Sequence, residues 1–266
     1  MICYPNAKIN IGLKVLSKRK DGFHNLSSFF YPIPLCDVLE VNIDANIFSS
    51  QITYSGIKFP NTKDDLVLKA YNLLKRDFGL PSIRIHLHKN IPYGSGLGGG
   101  SSNATHMLVL LNKMFDLKLN QKDLMQYAIL IGSDCPFFLY NSCSYISGVG
   151  NKIKPVPFNL KGYYIIIVKP NCSLATSQVF SKYRIKKNVQ SLSKYNWKNG
   201  FASLVNDLET ISLKLCPELQ DCKSYLQKIG AEHISMSGSG SAIYGLFKSK
   251  PIIENNFTGW FWEGYL

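Results

Sequence analysis

A glycine-rich loop between a strand pattern and a helix pattern is the feature that most constrains this chain. Five glycines fall within residues 94–102, after the alternating apolar residues Ile83, Ile85 and Leu87 and before a helical pattern over residues 104–115. Glycine allows positive φ and a close approach of the backbone to a ligand. The helix that follows directs its unpaired N–H groups and its positive dipole end into the loop. The arrangement predicts a phosphate-binding loop.

Two familiar phosphate-binding motifs do not explain this loop. Gly94, Gly96 and Gly99 have the spacing of the dinucleotide-binding motif, but that motif requires a returning parallel strand with an acidic residue about 20 positions later. A second helical pattern over residues 121–131 follows instead. The P-loop requires Gly-Lys-Ser/Thr, which does not follow these glycines. A flexible linker is the remaining alternative, and the position between a clean strand and a clean helix disfavours it.

Length and composition indicate an ordinary globular protein. The 266 residues, 45% hydrophobic and 18% charged, suffice for one large domain or two lobes. No apolar run approaches the ~20 residues of a membrane span, and the N-terminus has no basic region before an apolar core. We therefore expect no membrane association, no export signal and a cytoplasmic location.

The seven cysteines are scattered, odd in number and without a Cys-x-x-Cys pair. This pattern predicts neither a disulfide framework nor a zinc site, and it favours a reducing compartment. We expect the cysteines to be small packing residues.

The net charge of +13 raises the question of nucleic-acid binding. Only four of the 30 basic residues are arginines, however, and base-edge and bidentate phosphate recognition favour arginine. A positive surface that attracts anionic small molecules fits better, and lysine-rich composition without a function is an equal alternative. We expect no nucleic-acid partner.

Periodicity predicts a mixed α/β chain in which strands and helices do not alternate one for one. The predicted strands cover residues 8–16, 38–43, 83–87, 144–147, 163–168, 233–236, 242–247 and 260–262. The predicted helices cover residues 65–78, 102–115, 121–131, 201–215 and 218–229. This order disfavours a doubly wound parallel sheet and favours an α+β protein of two lobes, divided near residues 152–162.

A second glycine-serine cluster lies at residues 235–242, between two predicted strands. A tight hairpin explains the cluster structurally. Its backbone N–H groups and hydroxyls also suit a loop that closes over the first one.

With both loops considered, the chain resembles the GHMP kinases. The resemblance implies an α+β, two-lobed GHMP-kinase-like fold with the active site in the cleft between lobes. It implies an N-terminal lobe at residues 1–155, which carries the ATP-phosphate loop, and a C-terminal lobe at 156–266. ATP and Mg²⁺ are the implied cofactors. The implied ATP-binding residues are Pro92, Tyr93, Gly94, Ser95, Gly96, Leu97, Gly98, Gly99, Gly100, Ser101 and Ser102.

Three further segments, residues 5–10, 20–26 and 131–138, are similar to the family of 4-diphosphocytidyl-2-C-methyl-D-erythritol kinases. The resemblance covers nearly the whole chain. It implies ATP-dependent phosphorylation of a hydroxyl of a cytidine-diphosphate-linked methylerythritol, in the non-mevalonate route to isoprenoid precursors. A kinase for another alcohol, such as mevalonate or homoserine, is the alternative within this fold. A non-catalytic nucleotide or nucleic-acid binder is the alternative of another class.

The resemblance also implies roles for single residues. Asp134 corresponds to the catalytic aspartate that accepts the proton of the attacking hydroxyl. Lys8 corresponds to the lysine beside it, which would offset charge on the phosphoryl oxygens. The implied substrate-binding residues are Asn10, Phe23, His24 and Phe180, with His24 reading the cytosine edge and Phe180 stacking on the base.

The chain departs from the family pattern at four of its motif positions: Phe23, Tyr93, Ser95 and Cys135. None of these departures removes a reacting group. The resemblance provides no evident acidic residue for Mg²⁺, so we expect ATP phosphates to hold the metal, with Ser102 as an aid.

Overall fold

The structure is a computed structural model that describes residues 1–44, 46–58, 65–201, 203–253 and 257–266. Its strands are β1 Ile2–Cys3, β2 Asn6–Lys18, β3 His24–Cys36, β4 Val38–Ile43, β5 Gln51–Gly56, β6 Ile83–Lys89, β7 Ser144–Gly148, β8 Lys152–Pro155, β9 Tyr164–Lys169, β10 His233–Met236, β11 Ile243–Phe247 and β12 Trp260–Tyr265. Its α-helices are α1 Leu66–Phe78, α2 Gly99–Met114, α3 Gln121–Ile131, α4 Phe137–Tyr140, α5 Thr176–Lys182, α6 Glu209–Leu215 and α7 Leu219–Lys228.

The chain forms two compact units that interleave along the sequence. The first consists of Met1–Ala7, Leu35–Tyr93 and Gly98–Asn141. The second consists of Lys8–Pro34, Gly94–Leu97 and Ser142–Leu266. The predicted lobes 1–155 and 156–266 follow a single boundary instead, because sequence periodicity gives no sign that most of β2 and β3 fold with the C-terminal half. That boundary stays a prediction.

The first unit packs helices against one sheet of strand order β1-β4-β6-β5. β6 is antiparallel to β4 and parallel to β5. Alternation along β6 buries Ile83, Ile85 and Leu87 in one core with the apolar residues of α1, α2 and α3. The glycine loop therefore leaves a fully anchored strand and enters a helix of the same core.

The second unit contains two sheets, of strand orders β2-β3-β7-β8 and β10-β11-β9-β12. All six residues of β9 are buried, and β9 pairs antiparallel with both β11 and β12. Helix α7 packs on β9, β10 and β11, and apolar residues of α7, β9 and β11 share one core. This core supports the connection between β10 and β11, which is the second glycine cluster.

The α+β prediction is confirmed, and most described strand pairs are antiparallel. Within the described ranges, no helix is both long enough and apolar enough to cross a bilayer. Most predicted elements lie within two residues of the observed ones, and α3, β4 and β10 match at both ends.

One predicted element is wrong, and six observed elements were not predicted: β1, β3, β5, β8, α4 and α5. The helix predicted over residues 201–215 begins only at Glu209, because Asn206 forms a bridge with Leu13 and its side chain accepts the N–H of Leu208. Ala202 lies outside the described residues. Strand β3 was not predicted, since Pro32 and Pro34 resemble loop residues. Both prolines lie beyond the part of β3 that pairs with β7.

The expectation that the cysteines are small packing residues is wrong for one pair. Cys172 and Cys216 form a disulfide across 44 residues of sequence, with Cα atoms 6.5 Å apart. The fold brings the segment before α5 next to the end of α6, and no spacing rule reveals such a contact. The other five cysteines are not in disulfide bonds, and three of them, Cys135, Cys143 and Cys222, are buried.

Candidate active site

The tip of the first glycine loop, residues 94–97, is fastened to the second loop, residues 237–242. Two backbone bonds join them: Ser241 N–H donates to Gly94 O at 3.1 Å, and Ala242 N–H donates to Ser95 O at 3.0 Å. Ser237 Oγ donates to Gly96 O at 2.9 Å. The second cluster therefore has two structural roles. It connects the paired strands β10 and β11, and through these three hydrogen bonds, which we call the clasp, it holds the tip of the first loop.

Gly96 lies at the closest approach of the two loops. Its φ is +76°, and a Cβ built on it would stand 2.0 Å from the carbonyl oxygen of Ser237. No side chain fits in that space. Glycine is therefore required here both for conformation and for contact.

Lys8 lies buried against the tip of the loop, with 2% of its surface exposed. Its Nζ donates to Gly96 O at 2.9 Å and to Asn10 Oδ1 at 2.5 Å, and it lies 4.3 Å from the centroid of the Phe30 ring. Its backbone N–H donates to Leu97 O at 2.9 Å. A buried ammonium with these fixed partners is a stationary positive charge at the glycine loop.

Asn10 supports Lys8 from the next position on the same face of β2. It is 1% exposed, and its Nδ2 donates to Ser28 Oγ at 3.0 Å while its Oδ1 accepts from Lys8. Its backbone N–H donates to Ser237 Oγ at 3.2 Å. The structure thus shows Asn10 orienting Lys8, and the predicted contact of Asn10 with substrate stays a prediction.

His24 and Phe180 form an aromatic pair. Their ring centroids are 5.0 Å apart with an interplanar angle of 29°. Phe180 lies on α5, where Thr176 Oγ1 is 2.9 Å from Ser239 Oγ of the second loop.

Burial, and secondarily the positive charge of Lys18, lowers the pKa of His24 below its ordinary value. The imidazole is therefore neutral near pH 7, with one donor and one acceptor nitrogen. Phe23 is 64% exposed.

The start of α2, which follows the glycine loop, has backbone N–H groups that suit an anion. Gly98 occupies the N-cap of α2 with φ +73° and, having no side chain, caps none of the N–H groups of the first turn. These groups suit phosphate oxygens. Ser102, predicted as an aid to Mg²⁺, is buried with its Oγ 3.3 Å from His106 Nδ1, and its role at the metal stays a prediction.

Asp134 lies half-buried in the turn between α3 and α4. One hydroxyl ties this turn to the start of α2: Thr105 Oγ1 lies 2.9 Å from both Ser101 O and Cys135 O. Cys135 is fully buried, and burial raises the pKa of its thiol to about 11, so it remains a neutral packing residue. The first unit thus holds the Asp134 turn and the start of α2 in one fixed relation.

Sequence reasoning missed two groups around the loops. Asn206 donates from Nδ2 to Met236 O and to Gly238 O, both at 2.8 Å, and so holds the second loop. Asp37, Lys89 and Asn103 form a buried polar cluster at the flanks of the first loop. Asn206 lay inside a predicted helix, and the cluster has no local motif. Across the described residues, no three His, Cys, Asp or Glu side chains gather as a metal site.

Two sequence families match this chain. The GHMP kinases N terminal domain matches residues 65–142, which include the helix end of the glycine loop and Asp134. The GHMP kinases C terminal family matches residues 187–255, which include the second loop.

Two kinases from other organisms align with this chain over almost the full length of both sequences. A 4-diphosphocytidyl-2-C-methyl-D-erythritol kinase of Bacteroides thetaiotaomicron is 44% identical over 98% of this chain and 96% of its own length. The enzyme of that name from Azobacteroides pseudotrichonymphae is 42% identical over 97% and 98%.

Solved structures show the same relationship. A crystal structure of 4-(cytidine 5'-diphospho)-2C-methyl-D-erythritol kinase superposes with a TM-score of 0.78 at 31% identity, covering 92% of this chain and 90% of that one. Homoserine kinase from Cytophaga hutchinsonii shares the fold, with a TM-score of 0.61 at 19% identity over 92% and 86%. The predicted fold is confirmed.

Proposed function

Because this chain belongs to the GHMP kinases, and within them to the family of 4-diphosphocytidyl-2-C-methyl-D-erythritol kinases, we propose that it transfers the γ-phosphoryl group of ATP to a hydroxyl of 4-diphosphocytidyl-2-C-methyl-D-erythritol. The reaction belongs to the non-mevalonate route to isoprenoid precursors. The observation that carries this proposal is the pair of glycine loops clasped at Gly96, with the buried Lys8 ammonium bonded to the same carbonyl.

In this proposal the first loop holds the phosphates of ATP. The residues involved are Pro92, Tyr93, Gly94, Ser95, Gly96, Leu97, Gly98, Gly99, Gly100, Ser101 and Ser102. Uncapped N–H groups at the start of α2 would donate to phosphate oxygens, and the positive end of the helix dipole favours their charge. We propose Mg²⁺ as the companion of ATP, held chiefly by phosphate oxygens, since Mg²⁺ in kinases commonly keeps few protein ligands.

Asp134 and Lys8 carry the chemistry of the proposed reaction. Asp134 accepts the proton of the attacking hydroxyl as its oxygen approaches the γ-phosphorus, and Lys8 offsets charge on the transferring oxygens. Phosphoryl transfer has a loose transition state, so positioning and charge stabilisation contribute most. The fixed partners of Lys8 support this role, because a preorganised charge does not reorganise during the reaction.

The acceptor is distinguished by its cytosine. Neutral His24 would pair with the donor and acceptor edge of the base, Phe180 would stack on its face, and Phe23 and Asn10 would contact the substrate. Mevalonate and homoserine have no ring to stack, so this aromatic pair favours the cytidylyl acceptor. We further propose a cytoplasmic location and no nucleic-acid or membrane partner.

The test is an acceptor panel. Purified protein with Mg²⁺-ATP should release ADP with 4-diphosphocytidyl-2-C-methyl-D-erythritol, and mass spectrometry should find a product one phosphoryl group heavier. Mevalonate and homoserine should give rates about 10³-fold lower, because a missing recognition group can cost that much in kcat/KM. A preference for either of those alcohols would refute the assigned acceptor.

Replacing the stacking ring should weaken substrate binding selectively. We expect Phe180→Leu to raise KM for the cytidylyl substrate about 5- to 150-fold, since base stacking contributes ~1–3 kcal/mol. KM for ATP should be unaffected because Phe180 has no role in ATP binding. Steady-state kinetics with each substrate varied in turn measures both. An equal rise in both constants would indicate a general disturbance and exclude the stacking role.

Acidification should act through His24. Because its pKa is lowered, we expect KM for the cytidylyl substrate to stay flat from about pH 8 to neutral. KM should rise only at pH values below the ordinary pKa of histidine, where the imidazole gains a proton and loses its acceptor. His24→Gln should raise KM at neutral pH and abolish the acid limb. A persistent acid limb in that variant would assign the titration to another group.

A further inference from the structure

A buried polar network joins the strand before the glycine loop to the helix after it. Asp37, Lys89 and Asn103 are 0%, 6% and 1% exposed. Lys89 Nζ donates to Asp37 Oδ2 and to Asn103 Oδ1, the latter at 2.9 Å. Asn103 Nδ2 donates to Asp37 Oδ2 at 2.9 Å. The three side chains therefore form a closed ring of hydrogen bonds within the first unit.

The second carboxylate oxygen of Asp37 holds the backbone at the entrance of the loop. Oδ1 accepts the N–H groups of Asn90 and Ile91, at 2.7 and 2.8 Å. One carboxylate thus binds two consecutive N–H groups before the loop, and its other oxygen binds Asn103, near the start of α2. These contacts fix both flanks of the glycine loop to a single side chain.

The start of α2 lies directly on this network. A Cβ built on Gly99 would stand 2.8 Å from Cγ2 of Ile91 and 3.4 Å from Nζ of Lys89. The helix end can approach the strand end this closely because residue 99 has no side chain. Both ends of the loop are therefore held at a short, fixed separation.

We propose that Asp37 is a positioning residue for ATP: through Lys89 and Asn103 it sets the separation of the strand end and the helix end, so that the glycine loop is ordered before ATP binds. A loop ordered in advance does not lose conformational entropy on binding, and affinity rises accordingly. The inference rests on the proposed function, in which this loop holds the phosphates. Asp37 itself touches no reacting atom.

The chemistry of the network fits positioning better than simple stabilisation. A buried ion pair gives little net stability, because desolvating both charges offsets their attraction. Burial lowers the pKa of the Lys89 ammonium below its ordinary value, and the negative charge of Asp37 offsets only part of this shift. Apolar side chains would fill the space at less cost, but they cannot bind two backbone N–H groups and a helix residue at once.

The chain offers a matched control on the same two strands. β4 and β6 pair from Val38 and His88 to Ile43 and Ile83. Asp37 and Lys89 lie at the loop end of this ladder, and Asp44 and Arg84 form an exposed ion pair at its other end. Arg84→Met therefore removes an ion pair between the same strands at the end away from the loop.

The test compares four variants by calorimetric ATP affinity, kcat and thermal stability. Asp37→Asn keeps an acceptor for Asn90 and Ile91 but turns an amide donor toward Lys89 and Asn103. We expect the ATP Kd to rise about 10-fold or more, with kcat at saturating ATP changing less than about 3-fold. Arg84→Met should leave the ATP Kd unchanged. Asn103→Ala, which retains the ion pair, should raise the ATP Kd about 3-fold or more and serves if Asp37→Asn does not fold.

The decisive variant exchanges the acid and the amide. In the double variant Asp37→Asn with Asn103→Asp, the amide oxygen still accepts from residues 90 and 91, and its NH₂ donates to the new carboxylate. Lys89 exchanges its ion pair with residue 37 for one with the carboxylate at residue 103, to which it already donates. We expect its ATP Kd to return to within about 3-fold of the unmodified protein. A merely stabilising role predicts lower melting temperatures with an unchanged ATP Kd, and that result, or no recovery in the exchanged variant, would overturn the proposal. Failure of the unmodified protein to bind ATP would instead overturn the proposed function.

Discussion

Asp134→Asn is expected to lower kcat by about 10²- to 10⁴-fold, the range that a positioned general base contributes. The amide has the shape of the carboxylate but cannot take up the proton of the attacking hydroxyl. The ATP Kd should stay within about 3-fold of its original value, because the start of α2 and its glycine loop keep their own contacts. Rapid-quench measurement of phosphoryl transfer in a single turnover separates chemistry from product release.

The neighbouring helix provides a control for this substitution. Asp123 on α3 forms a capping box with Asn120, and its carboxylate accepts the N–H of Asn120 at 3.0 Å. Asp123→Asn also replaces a carboxylate by an amide in the same unit, but it alters only an exposed helix cap. We expect it to change stability slightly and kcat not at all. Equal losses of kcat in both variants, or an undiminished kcat in Asp134→Asn, would contradict the role assigned to Asp134.

The parts of the site that local patterns encode were predicted from the sequence. Alternation predicted β6 and periodicity predicted α2, and both elements are present. The phosphate-binding role of the glycines between them stays a prediction. Each of these signals is carried by residues within a few positions of one another. The predicted start of α2, residue 102, lies three residues too late, because Gly99 and Gly100 have low helix propensity. Both glycines nevertheless lie in the first turn of α2, where a phosphate loop requires small residues.

The parts that depend on distant contacts were not predicted. Asp37 meets Lys89 across 52 residues and Asn103 across 66, while Asn10 meets Ser237 across 227. No periodicity connects such positions, so a buried aspartate before β4 resembles an ordinary turn residue. The family resemblance pointed to Lys8 and Asn10, but only the structure shows that Asn10 orients the ammonium of Lys8.

Gly96→Ala is expected to damage ATP binding more than any other single-methyl change in the loop. The new Cβ would lie 2.0 Å from Ser237 O, so one of the two loops must move, and alanine is strained at φ +76° in addition. That movement would break the bond from Ser237 Oγ to Gly96 O and displace the carbonyl that holds Lys8. We expect kcat/KM for ATP to fall about 100-fold or more, since both binding and charge placement suffer.

Two further glycines separate the clash from the backbone strain. Gly162 has φ +93°, and a methyl group added there would meet no atom within 4 Å, so Gly162→Ala tests conformational strain outside the loop. Gly94 has φ +61° and its nearest neighbour, Ser173, at 3.8 Å, so Gly94→Ala tests strain within the loop. Calorimetric ATP affinity and thermal unfolding of the three variants should rank the losses of affinity as Gly96, then Gly94, then Gly162. An equal loss of stability in all three variants, with the ATP affinity of Gly96→Ala unchanged, would mean that the close approach at Gly96 has no consequence for binding. The clasp between the loops would then not organise the phosphate site.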